Sequence, residues 1–227
     1  MPDTPALEIQ DLEFSYAPAD DEPPFSIRLP SLLLGRGEQV LVTAPSGGGK
    51  STLLSLIAGL MEPVRGSVRI DGTVVHSLRG AARDHFRGRK VGMIFQTFNL
   101  LQGFTALENV SAALMMSDIP EREHRKRASE LLASLGIRTP ERRVERLSVG
   151  QQQRVGVARA LACDPVLVLA DEPTASLDPD NAAGAIDLIE RACKQKNAAL
   201  LCVSHDPGMR DRFQRHERLE HAGAATA

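Results

Sequence analysis

The stretch 39–59, QVLVTAPSGGGKSTLLSLIAG, constrains this chain more than any other. An apolar run (Val40, Leu41, Val42) stops at a loop of Pro, Ser and three glycines, and Lys50, Ser51 and Thr52 then lead into an apolar helical pattern at Leu53, Leu54, Ile57 and Ala58. The order is strand, Gly-rich loop, helix. Gly47, Gly48 and Gly49 let the backbone approach a ligand closely, so consecutive N–H groups converge on phosphate oxygens. The helix start adds the positive end of its dipole. Lys50 supplies a full charge for the β- and γ-phosphates, and the Ser51 hydroxyl suits a Mg²⁺ ligand. Ala44 stands where the pattern G-x-x-x-x-G-K-[ST] has its first Gly. Its Cβ requires a negative φ there.

A chain of 227 residues accommodates one α/β domain of ordinary size, with room for a small subdomain. Its 27 Lys+Arg against 29 Asp+Glu leave no broad basic field, so nucleic acid is not an expected partner. Cys163, Cys193 and Cys202 lack CxxC spacing and read as buried thiols in a reducing compartment. The acidic start MPDTPALEIQD does not read as a signal peptide, and no apolar run approaches the roughly 18 residues that span a bilayer. If the protein works at a membrane, another chain supplies the span.

From Leu7 to Tyr16 apolar residues alternate, with a slip at Gln10-Asp11 that reads as a bulge or a turn between two strands. An acidic, Pro-rich loop follows at 17–24, then a strand region from Phe25 to Leu34 and a turn at 35–38. Val64 to Val75 reads as short strands with turns at Gly66 and Asp71-Gly72, the Arg-rich 77–90 as a short helix and loop, and Val91 to Phe95 as a strand. Thr105 and Glu108 have capping-box spacing and open two helices, broken at 118–120 and ended by Gly136. Val166–Ala170, a helix over 180–196 and Leu200–Val203 return to strand–helix alternation, which favours a parallel sheet.

Four apolar strand-like runs end at polar residues: at Thr43 before the glycines, at Gln96, at Asp171-Glu172 and at Ser204-His205. Open parallel sheets bind ligands beyond the carboxyl ends of their strands, so these groups should share one cleft. Asp171 is suited to hold Mg²⁺, Glu172 to polarise the attacking water, His205 to reach the γ-phosphate, and the Gln96 amide to coordinate Mg²⁺ or orient water.

LSVGQQQRVGVARAL (147–161) is the second strong signal. Ser148 and Gln151 have capping-box spacing, and Val155, Ala158 and Leu161 share one helical face. A helix start with a hydroxyl and a Gly is another anion site. One phosphate needs only one cradle, so a second site about a hundred residues away is best explained as serving the nucleotide of another subunit.

These motifs together resemble the ATPase subunits of ABC transporters, from end to end. APSGGGKST resembles their Walker A loop, Gln96 in IFQTFNLL the Q-loop, LSVGQQQR the LSGGQ signature, VLVLADEP the Walker B strand, Ser176-Leu177-Asp178 the D-loop, and His205 the switch histidine. Tyr16 falls where the family places an aromatic against adenine. The resemblance implies a P-loop NTPase fold of α/β class: a RecA-like parallel core and antiparallel β subdomain in about 1–95 and 160–220, a helical subdomain in about 97–159, and a flexible tail at 221–227. It implies ATP binding by Tyr16, Ser46, Gly47, Gly48, Gly49, Lys50, Ser51 and Thr52, Mg²⁺ held by Ser51, Gln96 and Asp171, and catalysis by Lys50, Gln96, Glu172 and His205. Ser148, Val149, Gly150 and Gln151 would act across a homodimer, with Val149 replacing the first signature Gly and pointing away from the phosphate. Ala44 and Val149 remove no chemically active side chain, so tuned rather than absent ATPase activity is expected.

FQTFNLLQGFTALENV (95–110) resembles the lipoprotein-release, macrolide-export and FtsE branch, whose ATPases are short and lack a regulatory domain after the histidine. SLD stands where that branch commonly has NLD. The branch implies integral-membrane permeases of few helices, a periplasmic adaptor in some systems, and a peripheral position on the cytoplasmic face of the inner membrane. An importer ATPase, for example for amino acids, would share every catalytic residue. A soluble ABC ATPase acting on DNA or the ribosome would usually carry tandem ATPase domains or long coiled coils, which this sequence does not show.

Overall fold

The computed structural model describes residues 4–16 and 25–221, so the acidic loop at 17–24 and the tail after 221 lie outside it. Val40, Leu41 and Val42 form the apolar, buried middle of β3 (Gln39–Thr43), where the sheet is covered on both faces. Its partners are β6 (Val91–Ile94), β7 (Leu167–Asp171), β8 (Ala199–Ser204) and β9 (His216–Arg218), in the order β6-β7-β8-β3-β9. Every pairing in this sheet is parallel.

Period-2 alternation sends neighbouring residues to two different cores. Leu41, Ile94, Val168, Ala170, Leu200 and Cys202 belong to one, shared with α3 (Ala106–Leu114), α4 (Glu121–Ser134), α5 (Val149–Leu161) and α6 (Pro179–Gln195). Val40, Val42, Leu167, Leu169, Leu201 and Val203 belong to the other, with α1 (Lys50–Ile57) and a second sheet. Each fully buried Leu or Val contributes about 1.5–3 kcal/mol of transfer free energy. The helical region expected at 97–159 therefore shares a continuous core with the parallel sheet.

The second sheet is antiparallel, in the order β10-β2-β1-β4-β5: β1 Leu7–Ser15, β2 Ser26–Leu34, β4 Arg65–Ile70, β5 Thr73–Val74 and β10 Glu220–His221. The slip at Gln10-Asp11 is a bulge within one strand: Asp11 has φ 48 and the register to β4 shifts between Gln10 and Glu13. Gly66, expected as a turn, lies inside β4 instead. Its φ is 87, and a Cβ there would sit 2.2 Å from Asp11 O, so only glycine lets β4 close on the bulge.

The stretch 77–90 forms α2 (Gly80–Lys90) after a two-residue connection at 78–79, and α2 runs straight into β6. Both expected capping boxes are formed: Thr105 with Glu108 opens α3, and Ser148 with Gln151 opens α5. Cys193 and Cys202 are fully buried, and burial pushes their thiols up. Cys163, expected to be buried, is only half-buried, with Sγ 3.2 Å from Ala113 O.

Candidate active site

β3, β6, β7 and β8 all end on the same side, and the residues that follow them meet at a cavity of about 390 Å³. It is lined by Ser46, Gly47, Gly48, Gly49, Lys50, Ser51 and Thr52 from the glycine loop. Gln96, Asp171, Glu172 and His205 line it from the other three strand ends, and Tyr16 with Phe25 from the antiparallel sheet. The volume lies in the range of small-ligand sites.

Gly49 is the N-cap of α1, left-handed at φ 86 and without a side-chain cap. The first N–H groups of α1 are therefore uncapped by protein side chains, as an anion site requires. A Cβ on Gly49 would lie 2.3 Å from Ile27 Cγ2 in β2. Ala44 is buried and has no positive φ, which satisfies the requirement its Cβ imposes. Lys50 Nζ donates to Ala44 O and Pro45 O, each at 3.0 Å, and stands 3.3 Å from Glu172 Oε1.

Ser51 Oγ donates to Asp171 Oδ2 at 2.8 Å. Burial first, and then the adjacent Glu172 charge, push the Asp171 carboxyl above its usual range, against the opposing effect of Ser51 and Lys50. A carboxylate raised in this way, beside a hydroxyl oxygen and with the Gln96 amide in the same cavity, fits a hard divalent cation such as Mg²⁺.

Glu172 is 8% exposed, with φ 45, a conformation that side-chain-bearing residues seldom adopt and that recurs at functional sites. Its Oε2 accepts from Ser204 Oγ at 2.9 Å, and its Oε1 lies 2.6 Å from His205 Nδ1. Burial alone would raise the Glu172 carboxyl. The hydrogen bonds from His205 and Ser204 and the nearby Lys50 charge overcome it and hold the carboxyl below its usual value. Glu172 is thus kept ionised and aimed.

Phe25 was not singled out from the sequence, and Ser204 was named only as the neighbour of His205 at a strand end, without a role. Phe25 packs against Tyr16, with ring centroids 5.4 Å apart, and Tyr16 meets Phe14 edge-on at 4.8 Å. Ser204 anchors Glu172. Ser204 directly precedes His205 at a strand end, which was the available signal, whereas Phe25 carried none beyond its place in a strand.

Ser148, Val149, Gly150 and Gln151 do not line the cavity. Ser148 Oγ accepts from Gln151 N at 3.3 Å, and Val149, the first residue of α5, is 51% exposed. Of the Ser176-Leu177-Asp178 segment, Ser176 donates to Gln96 O and Asp178 caps α6.

Fold and cavity together define a nucleotide-hydrolysing cassette of the P-loop class. The profile described as "ABC transporter" matches residues 28–175. The chain is 42% identical over 185 residues to the lipoprotein-releasing system ATP-binding protein LolD of Chromohalobacter salexigens, covering 81% of this chain and 78% of that one. It is 43% identical over 192 residues to LolD of Nitrobacter hamburgensis, covering 83% and 82%. A dimeric post-hydrolysis structure of the ATP-binding cassette MJ0796 bound to ADP and Pi superposes with TM-score 0.77 at 32% identity, covering 97% of this chain and 100% of that one. The protein belongs to the ABC transporter ATPase family: it is an ATP-hydrolysing subunit of a membrane transporter.

Proposed function

We propose that this subunit serves an export or mechanotransmission system of the lipoprotein-release type, closing on ATP as a homodimer and pulling on a permease. The observation that carries the reading is a site in two separate parts. The phosphate loop and both carboxylates line one cavity, while the helix start at Ser148–Gln151 lies outside that lining, and its Ser148 hydroxyl takes only the Gln151 N–H of the first turn. A second copy placed head to tail brings one to the other.

In this reading the loop N–H groups and Lys50 hold the phosphates of ATP. Phosphate oxygens take over Lys50 from the Ala44 and Pro45 carbonyls and free Glu172 from its ammonium. Ser51, Asp171 and Gln96 would hold Mg²⁺, which when bound neutralises charge on the transferring phosphoryl group. Glu172 orients and polarises the attacking water. His205 Nδ1 donates to Glu172, so Nε2 can donate to the γ-phosphate only from the imidazolium form. Tyr16 stacks on the base. Catalysis is positioning and charge stabilisation, with little covalent chemistry by the protein.

The output leaves through a second, mostly apolar groove of about 300 Å³ between α2, β6, α3 and α5, lined by Met93, Phe95, Ala113, Met116 and Cys163 among others. Phe95 directly precedes Gln96, so a permease helix seated there would feel the nucleotide loop. Among the described residues no helix is long and apolar enough to cross a membrane. As an ATPase subunit of this family, the protein in this reading sits peripherally on the cytoplasmic face, held by its permease.

The test is co-purification from membranes, with the partner identified by mass spectrometry. The reading expects a permease of few helices with a large periplasmic domain. A many-helix importer permease would refute the branch, and capture with nucleic acid or ribosomes alone would refute transport.

A further inference from the structure

We propose that Arg159 and Ser176 are positioning residues that grip the main chain of the Gln96 loop from two sides, locking it to the signature helix and to the segment after Glu172. Carbonyls of three loop residues accept from these two side chains. Ser176 Oγ donates to Gln96 O at 2.8 Å. Arg159 Nη2 donates to Phe98 O at 2.7 Å, and its Nη1 donates to Asn99 O. The guanidinium also lies over the Phe95 ring, 5.7 Å from its centroid.

The loop conformation needs outside support. Phe98 and Asn99 have φ 60 and 47, consecutive left-handed residues; Asn accepts that region readily, but the bulky Phe98 disfavours it. Bonds within the loop are short-range: Asn99 N donates to Thr97 O at 2.7 Å, and Thr97 Oγ1 to Asn99 Oδ1 at 2.9 Å. Among the described residues Arg159 is in no ion pair with a carboxylate, so its partly buried charge is satisfied by carbonyls of the loop. A buried guanidinium tolerates that environment only with its fork filled.

The arrangement joins three places. α5 begins at Ser148–Gln151, holds the Gln96 loop through Arg159, and reaches Pro173 O, next to Glu172, through Gln153 Nε2 at 3.1 Å. Arg159 and Phe95 also line the groove assigned to the permease. Closure at the helix start therefore carries the loop, and the groove, with it. The consequence for catalysis rests on the reading of Gln96 as a Mg²⁺ ligand.

The test uses the full chain with Ser176→Ala, Arg159→Lys and Gln96→Ala. Lys keeps the charge of Arg159 but lacks the two-pronged fork. In nucleotide-free protein, amide exchange across 96–101 should accelerate about tenfold in Ser176→Ala and in Arg159→Lys, with α1 and the parallel sheet unchanged. The Mg²⁺ concentration for half-maximal ATPase should rise in the same two variants, with KM for ATP unchanged at saturating metal. If Arg159→Lys does not fold, Ser176→Ala still decides the matter, because its hydroxyl is exposed. Unchanged loop exchange in the folded variants overturns the proposal. Should Gln96→Ala leave the Mg²⁺ dependence unchanged, the ligand reading fails, and the exchange data still judge the grip.

Discussion

Ser51 and Asp171 are 120 residues apart in sequence and 2.8 Å apart in space, a hydroxyl donating to a carboxylate oxygen. The bond ties the first turn of α1 to the end of β7. It places an oxygen donor from the phosphate loop beside a carboxylate that burial has pushed above its usual range.

That raised pKa gives the first prediction. Folding disfavours the charged form of Asp171, so its cost is absent below the unfolded carboxylate pKa of about 4 and appears as pH rises through it. Asp171→Asn should raise the melting temperature of nucleotide-free protein at pH 7 by about 1–3 °C, with a smaller gain at pH 4. Turnover should fall by about 10²-fold or more. Scanning calorimetry at the two pH values checks the sign.

Tyr16 lines the cavity, and its hydroxyl donates to Met61 Sδ at 3.9 Å. Aromatic stacking on a base is worth about 1–3 kcal/mol, so Tyr16→Ala should raise the KM for ATP about tenfold at unchanged kcat. Tyr16→Phe should stay within about twofold, since the ring does the stacking. Steady-state kinetics separate the two.

Val149 occupies the first position of α5 with its side chain half exposed. Val149→Gly should leave turnover equal or higher, at a stability cost of at most about 1 kcal/mol. A large loss of ATPase would show that the Val is a working part of the composite site.

The elements most legible in the sequence were those whose signals are local. The glycine loop, the capping boxes at Thr105–Glu108 and Ser148–Gln151, and the four apolar strands with polar ends each carry their information within a few residues. β9 and β10 were missed because they are three and two residues long and mostly polar, added to edges built elsewhere in the chain. Leu219 between them is buried, with its N–H on Thr43 O at 3.0 Å, and so links the two sheets. Gly66 read as a turn because its partner, the bulge at Asp11, lies 55 residues earlier. Arg159 carried no signal in the 147–161 pattern beyond its place on a helix. Its fork acts on carbonyls 60 and 61 residues away, which no periodicity reports.

The central claim is that the cavity is half of a site, finished by the Ser148–Gln151 helix start of a second copy. Glu172→Gln should preserve ATP binding, lower turnover by about 10²–10⁴-fold and trap the closed pair. Light scattering of this variant is the direct measurement. A molecular mass that doubles on adding ATP and Mg²⁺, and falls back when Ser148→Arg is combined with it, is the expected result. An ATP-bound Glu172→Gln protein that remains a monomer would contradict the account.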